Sequence, residues 1–207
     1  MKKYRDHYFK RAKSDKYPAR SVYKLKEIDK RFKLLSQGDK ILDLGAAPGS
    51  WTMFASEKVG QQGLVLAVDL NPAETGFSEN VTFLQGDVFD PPREVAEAMS
   101  EKGPFNTVIS DMAPKTTGHK STDQARSMAL AEEALALACE HLILGGNFVV
   151  KVFQGPDEQD YTKALRRVFE NVKSFKPKSS RQESKEIFFV ARGFNGGSPW
   201  EEPGPQA

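Results

Sequence analysis

Ile41-Leu-Asp-Leu-Gly-Ala-Ala-Pro-Gly-Ser-Trp51 is the most informative stretch of this 207-residue chain. An apolar run ends in an acid, breaks into glycine and proline, and gives way near Ser50 to a helical pattern. That order predicts a buried strand, a tight turn and a helix N-terminus. In an open α/β sheet, ligands bind outside the carboxyl ends of the strands, where such turns lie. Gly45 and Gly49 leave out Cβ atoms where a ligand must approach the backbone closely. The spacing is not the dinucleotide G-x-G-x-x-G, and no Gly-Lys-Ser/Thr follows to make a P-loop. A glycine-rich turn without phosphate-grasping features, preceded by Asp43, suits a cationic nucleoside, and S-adenosylmethionine leads the candidates.

Outward from this turn, strands and helices alternate. Strands are expected at Lys40–Leu44, Leu64–Asp69, Val81–Leu84, Asn106–Ser110 and Asn147–Phe153. Helices are expected at about Ser50–Val59, Pro92–Glu101, Thr122–Leu144 (stopped by Gly145-Gly146) and Glu158–Phe169. Alternation of this kind argues for a parallel, doubly wound α/β sheet. The last two strands, Val172–Lys176 and Glu186–Ala191, have no helix between them, which suggests an antiparallel hairpin at one edge. The whole corresponds to a Rossmann-like, seven-stranded methyltransferase arrangement, mostly parallel with one antiparallel edge strand.

Before this core, Val22, Leu25, Ile28 and Phe32 recur at helical spacing among lysines and arginines, predicting an amphipathic helix with a basic outer face. Residues 1–18 lack a clear apolar period and read as a basic, aromatic arm across the surface. Residues 19–193 make the domain. The Gly- and Pro-rich end, within residues 194–207, reads as a disordered tail.

Charge is unevenly spread. Residues 1–40 carry 14 Lys and Arg against 5 Asp and Glu, or +9; residues 41–162 carry 7 against 18, or −11. Residues 163–192 carry 9 against 3, or +6, so a net charge of only +2 hides two basic flanks around an acidic centre. Such flanks fit a polyanion. No run approaches the roughly 20 apolar residues of a membrane span, and Met-Lys-Lys-Tyr-Arg-Asp-His lacks a signal-peptide apolar segment. The lone Cys139, in an Ala- and Leu-rich helical stretch, reads as a core residue. A cytoplasmic protein is expected. His7, His119 and His141 show no metal-ligand spacing, which argues against metal catalysis.

Four acids, Asp43, Asp69, Asp87 and Asp111, fall at or just beyond the ends of successive strands and so along one rim of the sheet. Each alone could be a turn former or helix cap. Together they suggest a ligand site. Asp69 lies 24 residues past Gly45, near the spacing at which an acid meets ribose hydroxyls. Asp87 could accept from an adenine amino group. Asp43 and Asp111 would lie nearer the sulfonium and the methionyl amine. Trp51 is either a ligand contact or a core residue. Lys151 interrupts the apolar run Phe148–Phe153, and lysine is rarely buried without purpose. A lysine taken out of water, or set beside another cation, holds its proton less firmly, and a neutral amine is a general base. Lys24 on the basic helix and Glu186 opening the last strand could reach the same rim, or be ordinary surface charges.

Ala19-Arg-Ser-x-x-Lys-Leu25, Asp43-Leu-Gly-Ala-Ala-Pro-Gly-x-Trp51, Ser110-Asp-Met-Ala-Pro114, Val149-Val-Lys-Val-Phe-Gln-Gly155 and Ser184-Lys-Glu-Ile-x-x-Val-Ala191 together resemble the FtsJ/RrmJ (RlmE) family. Its members are ribosomal RNA ribose 2′-O-methyltransferases. The resemblance runs in unbroken order over about residues 5–193. It implies a catalytic Lys-Asp-Lys-Glu set at Lys24, Asp111, Lys151 and Glu186. It also implies S-adenosylmethionine contacts at Gly49, Trp51, Asp69, Asp87 and Asp111. Ser50 departs from the pattern, since many relatives have a second glycine there. The implied substrate is a uridine ribose of large-subunit rRNA, methylated on the assembled subunit, with no obligatory protein partner. Competing readings are a tRNA ribose 2′-O-methyltransferase, a protein or small-molecule methyltransferase, and a ribosome-assembly factor that binds S-adenosylmethionine without catalysis.

Overall fold

A computed structural model describes residues 7–200. Its elements, in chain order, are α1 (His7–Ser14), α2 (Val22–Phe32), β1 (Lys40–Leu44), α3 (Ser50–Val59), β2 (Leu64–Asp69), β3 (Val81–Gln85), α4 (Arg93–Lys102), β4 (Phe105–Ser110), α5 (Lys120–His141), β5 (Leu142–Phe153), α6 (Glu158–Val168), β6 (Phe169–Phe175) and β7 (Glu186–Phe194). The seven strands form one sheet in the order β3-β2-β1-β4-β5-β7-β6. Every pairing is parallel except the two made by β7, which runs antiparallel to both β5 and β6. The expected hairpin therefore sits at one edge, with its antiparallel strand one place in and β6 outermost.

Alternate residues of each strand face opposite sides of the sheet. Leu42, Leu44, Val108, Phe148, Val150 and Phe189 pack with α4, α5 and α6 in one apolar core. Ile41, Ile109, Val149, Phe188 and Val190 pack with α1, α2 and α3 in the other. The same parity puts Asp43, Lys151 and Glu186 on the α2–α3 side.

Some boundaries differ from the expectation. Residues 7–17 of the N-terminal segment hold a helix that the sequence pattern does not show: α1 buries Ala12, and Tyr17 is buried with its hydroxyl 2.6 Å from Glu57 Oε2. Two widely spaced anchors are too few to show as a period. Helix α5 stops at His141 rather than Leu144, because Leu142 already pairs with Phe105 of β4. The next pair is Thr107 with Asn147, so the strand bulges between them, and Gly145 takes a φ of 79° there. The glycines serve a bulge, not a helix stop. Of the expected tail, residues 201–207 lie outside the described residues. Before them, Arg167 donates to the carbonyl of Pro199. Among the described residues, no helix is long and apolar enough to cross a membrane.

Candidate active site

Parallel register brings the first two charges together. Ser110 pairs with Val150, so Asp111 and Lys151 are the next residues along neighbouring strands. Lys151 Nζ lies 2.9 Å from Asp111 Oδ1 and also donates to the Asp111 carbonyl oxygen. In the antiparallel pair, Glu186 sits opposite Phe153, at the same end of the sheet. Lys24, in the first turn of α2, spans the gap: its Nζ is 2.7 Å from Glu186 Oε2 and 4.0 Å from Asp111 Oδ1. Four residues that are far apart in sequence thus form one chain of alternating charge, Lys151–Asp111–Lys24–Glu186. Lys151 is only 7% exposed and Glu186 only 8%. Charges that deep persist because each has an opposite partner, and removing one strands the next.

Helix α2 is held in place by the glycine-rich turn. Ser50 Oγ accepts from the Ala19 amide at 2.7 Å, and the Trp51 indole N–H donates to the Ser21 carbonyl at 2.9 Å. The indole also packs against Phe188, with ring centroids 5.8 Å apart. Trp51 is therefore a core residue by its side chain, and it seats the helix that carries Lys24. Gly49 is buried, with φ 110°, under the side chains of Phe77 and Thr75. Neither residue lines the cavity described next.

A cavity of about 360 Å³ opens at the carboxyl ends of β1, β2 and β4, walled by Gly45, Asp69, Asp87, Asp111, Met112 and others. That volume lies within the size range of small-molecule sites. A Cβ on Gly45 would collide with the Met112 side chain. The carboxylates are held by backbone amides: Asp69 accepts from Ala47 N–H at 2.9 Å and Asn71 N–H at 2.7 Å, and Asp87 from Phe89 N–H at 2.9 Å. Asp43 lies beneath the turn at 1% exposure. Its Oδ2 accepts from the Thr52 hydroxyl at 2.7 Å, while the buried Oδ1 has no hydrogen-bond partner among the described residues. Burial pushes its carboxyl up to about 7; the Thr52 hydrogen bond opposes this, and the nearby Asp111 and Asp69 add to it. Such a site favours a cation. Acceptors at Asp69 and Asp87, an under-satisfied carboxylate below and a glycine wall fit a nucleoside bearing positive charge.

Two further cavities lie elsewhere on the molecule. One of about 580 Å³, between α4 and α5, holds Glu140 and His141 and none of the expected site residues. Its size gives it no chemistry. The other, about 400 Å³, lies on the far side of Lys24 and includes Arg20 and Arg181. Cys139 is partly buried, and burial pushes its thiol up to about 12. No cluster of His, Cys, Asp and Glu able to hold a metal occurs among the described residues.

Sequence reasoning missed Thr52, Met112 and Glu27. Glu27 had one readable signal, its place one helical turn after Lys24. The Glu27 carboxylate accepts from the amides of Lys178 and Ser179 at 2.7 and 2.9 Å, fastening the loop between β6 and β7 to α2.

The family described as FtsJ-like methyltransferase matches residues 17–194. A protein of Oleidesulfovibrio alaskensis named ribosomal RNA large subunit methyltransferase E is 64% identical over 95% of this chain and 95% of its own length. Its namesake in Treponema denticola is 46% identical over 92% and 96%. The crystal structure of a Plasmodium falciparum ribosomal RNA methyltransferase superposes with a TM-score of 0.78 at 25% identity, covering 87% of this chain and all of that one.

Proposed function

The chain belongs to the FtsJ-like methyltransferase family, and from that premise we propose that it transfers a methyl group from S-adenosylmethionine to the ribose 2′-hydroxyl of a uridine in large-subunit rRNA. The substrate in this proposal is the assembled subunit, and the location cytoplasmic. The observation that carries it is the chain Lys151–Asp111–Lys24–Glu186, with Asp111 shared between that chain and the cavity wall. The names of the relatives support the class of RNA, and the basic segments support a polyanion.

S-adenosylmethionine would supply an electrophilic methyl group on a positively charged sulfur, which would keep the electron pair of the broken C–S bond and leave as a neutral thioether. Asp69 would accept from ribose hydroxyls and Asp87 from the adenine amino group, and Asp43 and Asp111 would balance positive charge. Gly49 and Trp51 would act from outside the cavity: the Gly49 N–H is taken by the Ala46 carbonyl in the turn that starts α3, and Trp51 seats α2 through the Ser21 carbonyl. Asp111 holds Lys151 through its side chain and its carbonyl, which fixes Nζ. Nζ then has one position left for the attacking hydroxyl. In its neutral form Lys151 takes the hydroxyl proton onto Nζ as the oxygen bonds to carbon. Glu186 holds Lys24 beside the same point, where its ammonium can bind RNA oxygens. Holding the hydroxyl in line lowers the barrier independently of proton removal.

Tritiated methyl transfer to large ribosomal subunits, naked rRNA and bulk tRNA tests this, followed by alkaline hydrolysis. A 2′-O-methyl blocks cleavage at its own linkage, so label in an alkali-resistant dinucleotide from the large subunit is the expected result. Label in tRNA alone would keep the chemistry and replace the substrate. Bound S-adenosylmethionine with no labelled RNA would replace the enzyme with an RNA-binding assembly factor.

A further inference from the structure

The segment Phe153-Gln-Gly155, at the end of β5, has no part in the charged chain, yet three other elements hold it. The Phe153 N–H donates to Ser127 Oγ of α5 at 2.9 Å, and the Gln154 N–H to the Lys185 carbonyl at 2.8 Å. The Gly155 N–H donates to Glu158 Oε1 of α6 at 2.8 Å, and the Gln154 carbonyl accepts from the Gln124 side chain of α5. Phe153 and Gln124 line a cavity of about 290 Å³, together with Gly118, Lys120, Asp123 and Lys185 among others. Asp123 steadies one side of it by accepting from the Thr117 and Gly118 amides at 2.7 and 3.3 Å. The loop leaving Asp111 and the loop entering Glu186 thus form its two sides. Phe153 is half-buried and lies two residues past Lys151 on the same face of β5, a step of about 7 Å. The cavity with the strand-end acids lies at the ends of β1, β2 and β4, across the Lys151–Asp111 pair from this one. A carbonyl only accepts, so Nε2 is the Gln124 atom that faces Gln154, and the order of the carboxamide is fixed. Its oxygen and second N–H take no other hydrogen bond among the described residues. A Cβ on Gly155 would stand 3.3 Å from this side chain, so glycine there leaves the carboxamide its place.

We propose that this cavity seats the base of the nucleotide to be methylated, with Phe153 as its stacking platform and Gln124 as the residue that selects uracil. The inference rests on the function proposed above and adds base recognition to it. Unpaired RNA bases are read by stacking on aromatic rings and by hydrogen bonds to their pairing edges. Uracil offers an acceptor, O4, beside a donor, N3–H. A carboxamide meets that pair with its own N–H and oxygen. Cytosine reverses both groups, with an amine at position 4 and a bare N3. The ribose held at Lys151 keeps the base from turning over, and Gln154 keeps the carboxamide from doing so. For cytosine, donor then faces donor and acceptor faces acceptor. Methyl donor and target base flank Lys151 from opposite sides.

The test uses the full chain and undermethylated large ribosomal subunits carrying either uridine or cytidine at the methylated position. The wild type should favour uridine in kcat/KM by about tenfold or more, the discrimination that one bidentate pair supplies. Gln124→Ala should lower kcat/KM for uridine and bring the ratio close to one, with S-adenosylmethionine affinity unchanged. A merely structural role would lower both substrates alike and leave the ratio where it was. Phe153→Leu should lower kcat/KM for both by about tenfold, the scale of one lost base stack, and Phe153→Tyr should keep most of it. A wild type indifferent to the base, or a preference that survives Gln124→Ala, would overturn the seat. So would wild-type activity in Phe153→Leu. Binding of oligouridine and oligocytidine of equal length and charge separates this from the parent reading. If the wild type methylates no RNA, the parent reading falls. The seat still stands where oligouridine binds more tightly and Gln124→Ala removes the difference, and falls where the wild type binds both equally.

Discussion

The two faces of the sheet are built to different specifications. Toward α4, α5 and α6 the strands present Leu42, Leu44, Val108, Phe148, Val150 and Phe189, all apolar and at most 3% exposed. Toward α2 and α3 the same strands present Ile41, Ile109 and Val149, but also Asp43, Thr107, Lys151 and Glu186, all buried. A charge taken from water costs several kcal/mol unless it is paired. The first face is thus the source of stability, and the second spends some of it to hold charges in fixed positions. Substitutions on the two faces should accordingly fail in different assays.

The largest effect expected is on stability from the apolar face. Phe148 is fully buried and stacks with Phe169 at 6.2 Å between ring centroids. Phe148→Ala should cost about 3–5 kcal/mol, read by urea denaturation. Activity per folded molecule should stay near the wild-type value. A stable Phe148→Ala protein that had lost activity would erase the distinction between the faces.

Lys151→Ala should do the reverse. Methyl transfer should fall by at least about a hundredfold, the lower end of what a general base contributes, while S-adenosylmethionine binding stays within a few-fold. Retained activity would remove Lys151 as the base.

Asp43 sharpens the comparison through pH. Its folded-state carboxyl titrates at about 7 against an ordinary value of 3.8, chiefly through burial. The native state therefore holds this proton more tightly than the unfolded chain. Its contribution to stability is complete below the ordinary value and is lost as pH rises through about 7. The rise from 3.8 to about 7 bounds that contribution at about 4 kcal/mol. Asp43→Asn should flatten stability between pH 4 and 7 and leave the variant the more stable of the two at pH 8. Equal pH profiles for the two proteins would show that Asp43 is not the group responsible.

How much of the fold and site is legible in the sequence depends on distance along the chain. Lys151 stands out because the run Phe148–Phe153 is otherwise apolar on both faces, so any charge within it is conspicuous. The strand-end acids stand out because a parallel sheet lines up its carboxyl ends. The end of α5 is misplaced because Gly145-Gly146 is a strong local stop, yet Leu142 has already joined β4 through a pairing that no local pattern reports. Trp51 cannot be assigned between ligand and core until Ser21 and Phe188 are placed around it. Glu27 is hidden for the same reason, since its partners lie 151 and 152 residues away.

Glu27 also supplies the smallest effect and the finest test of the charged face. It touches none of the reacting groups, yet it joins the helix bearing Lys24 to the loop that leads into Glu186. Glu27→Gln keeps the shape, but one amide oxygen must replace two carboxylate oxygens as acceptor for two backbone amides. The lost charge-assisted hydrogen bond should cost about 1 kcal/mol of stability. If the loop only covers α2, activity per folded molecule will not change. If it aligns Lys24 with Glu186, kcat/KM should fall by about three- to tenfold. That loss should not add to the one caused by Lys24→Ala, since residues that share one network do not contribute independently. Fully multiplicative losses in the double variant would mean that the loop and the helix act separately. The charged face would then be a set of neighbouring pairs instead of one positioned unit.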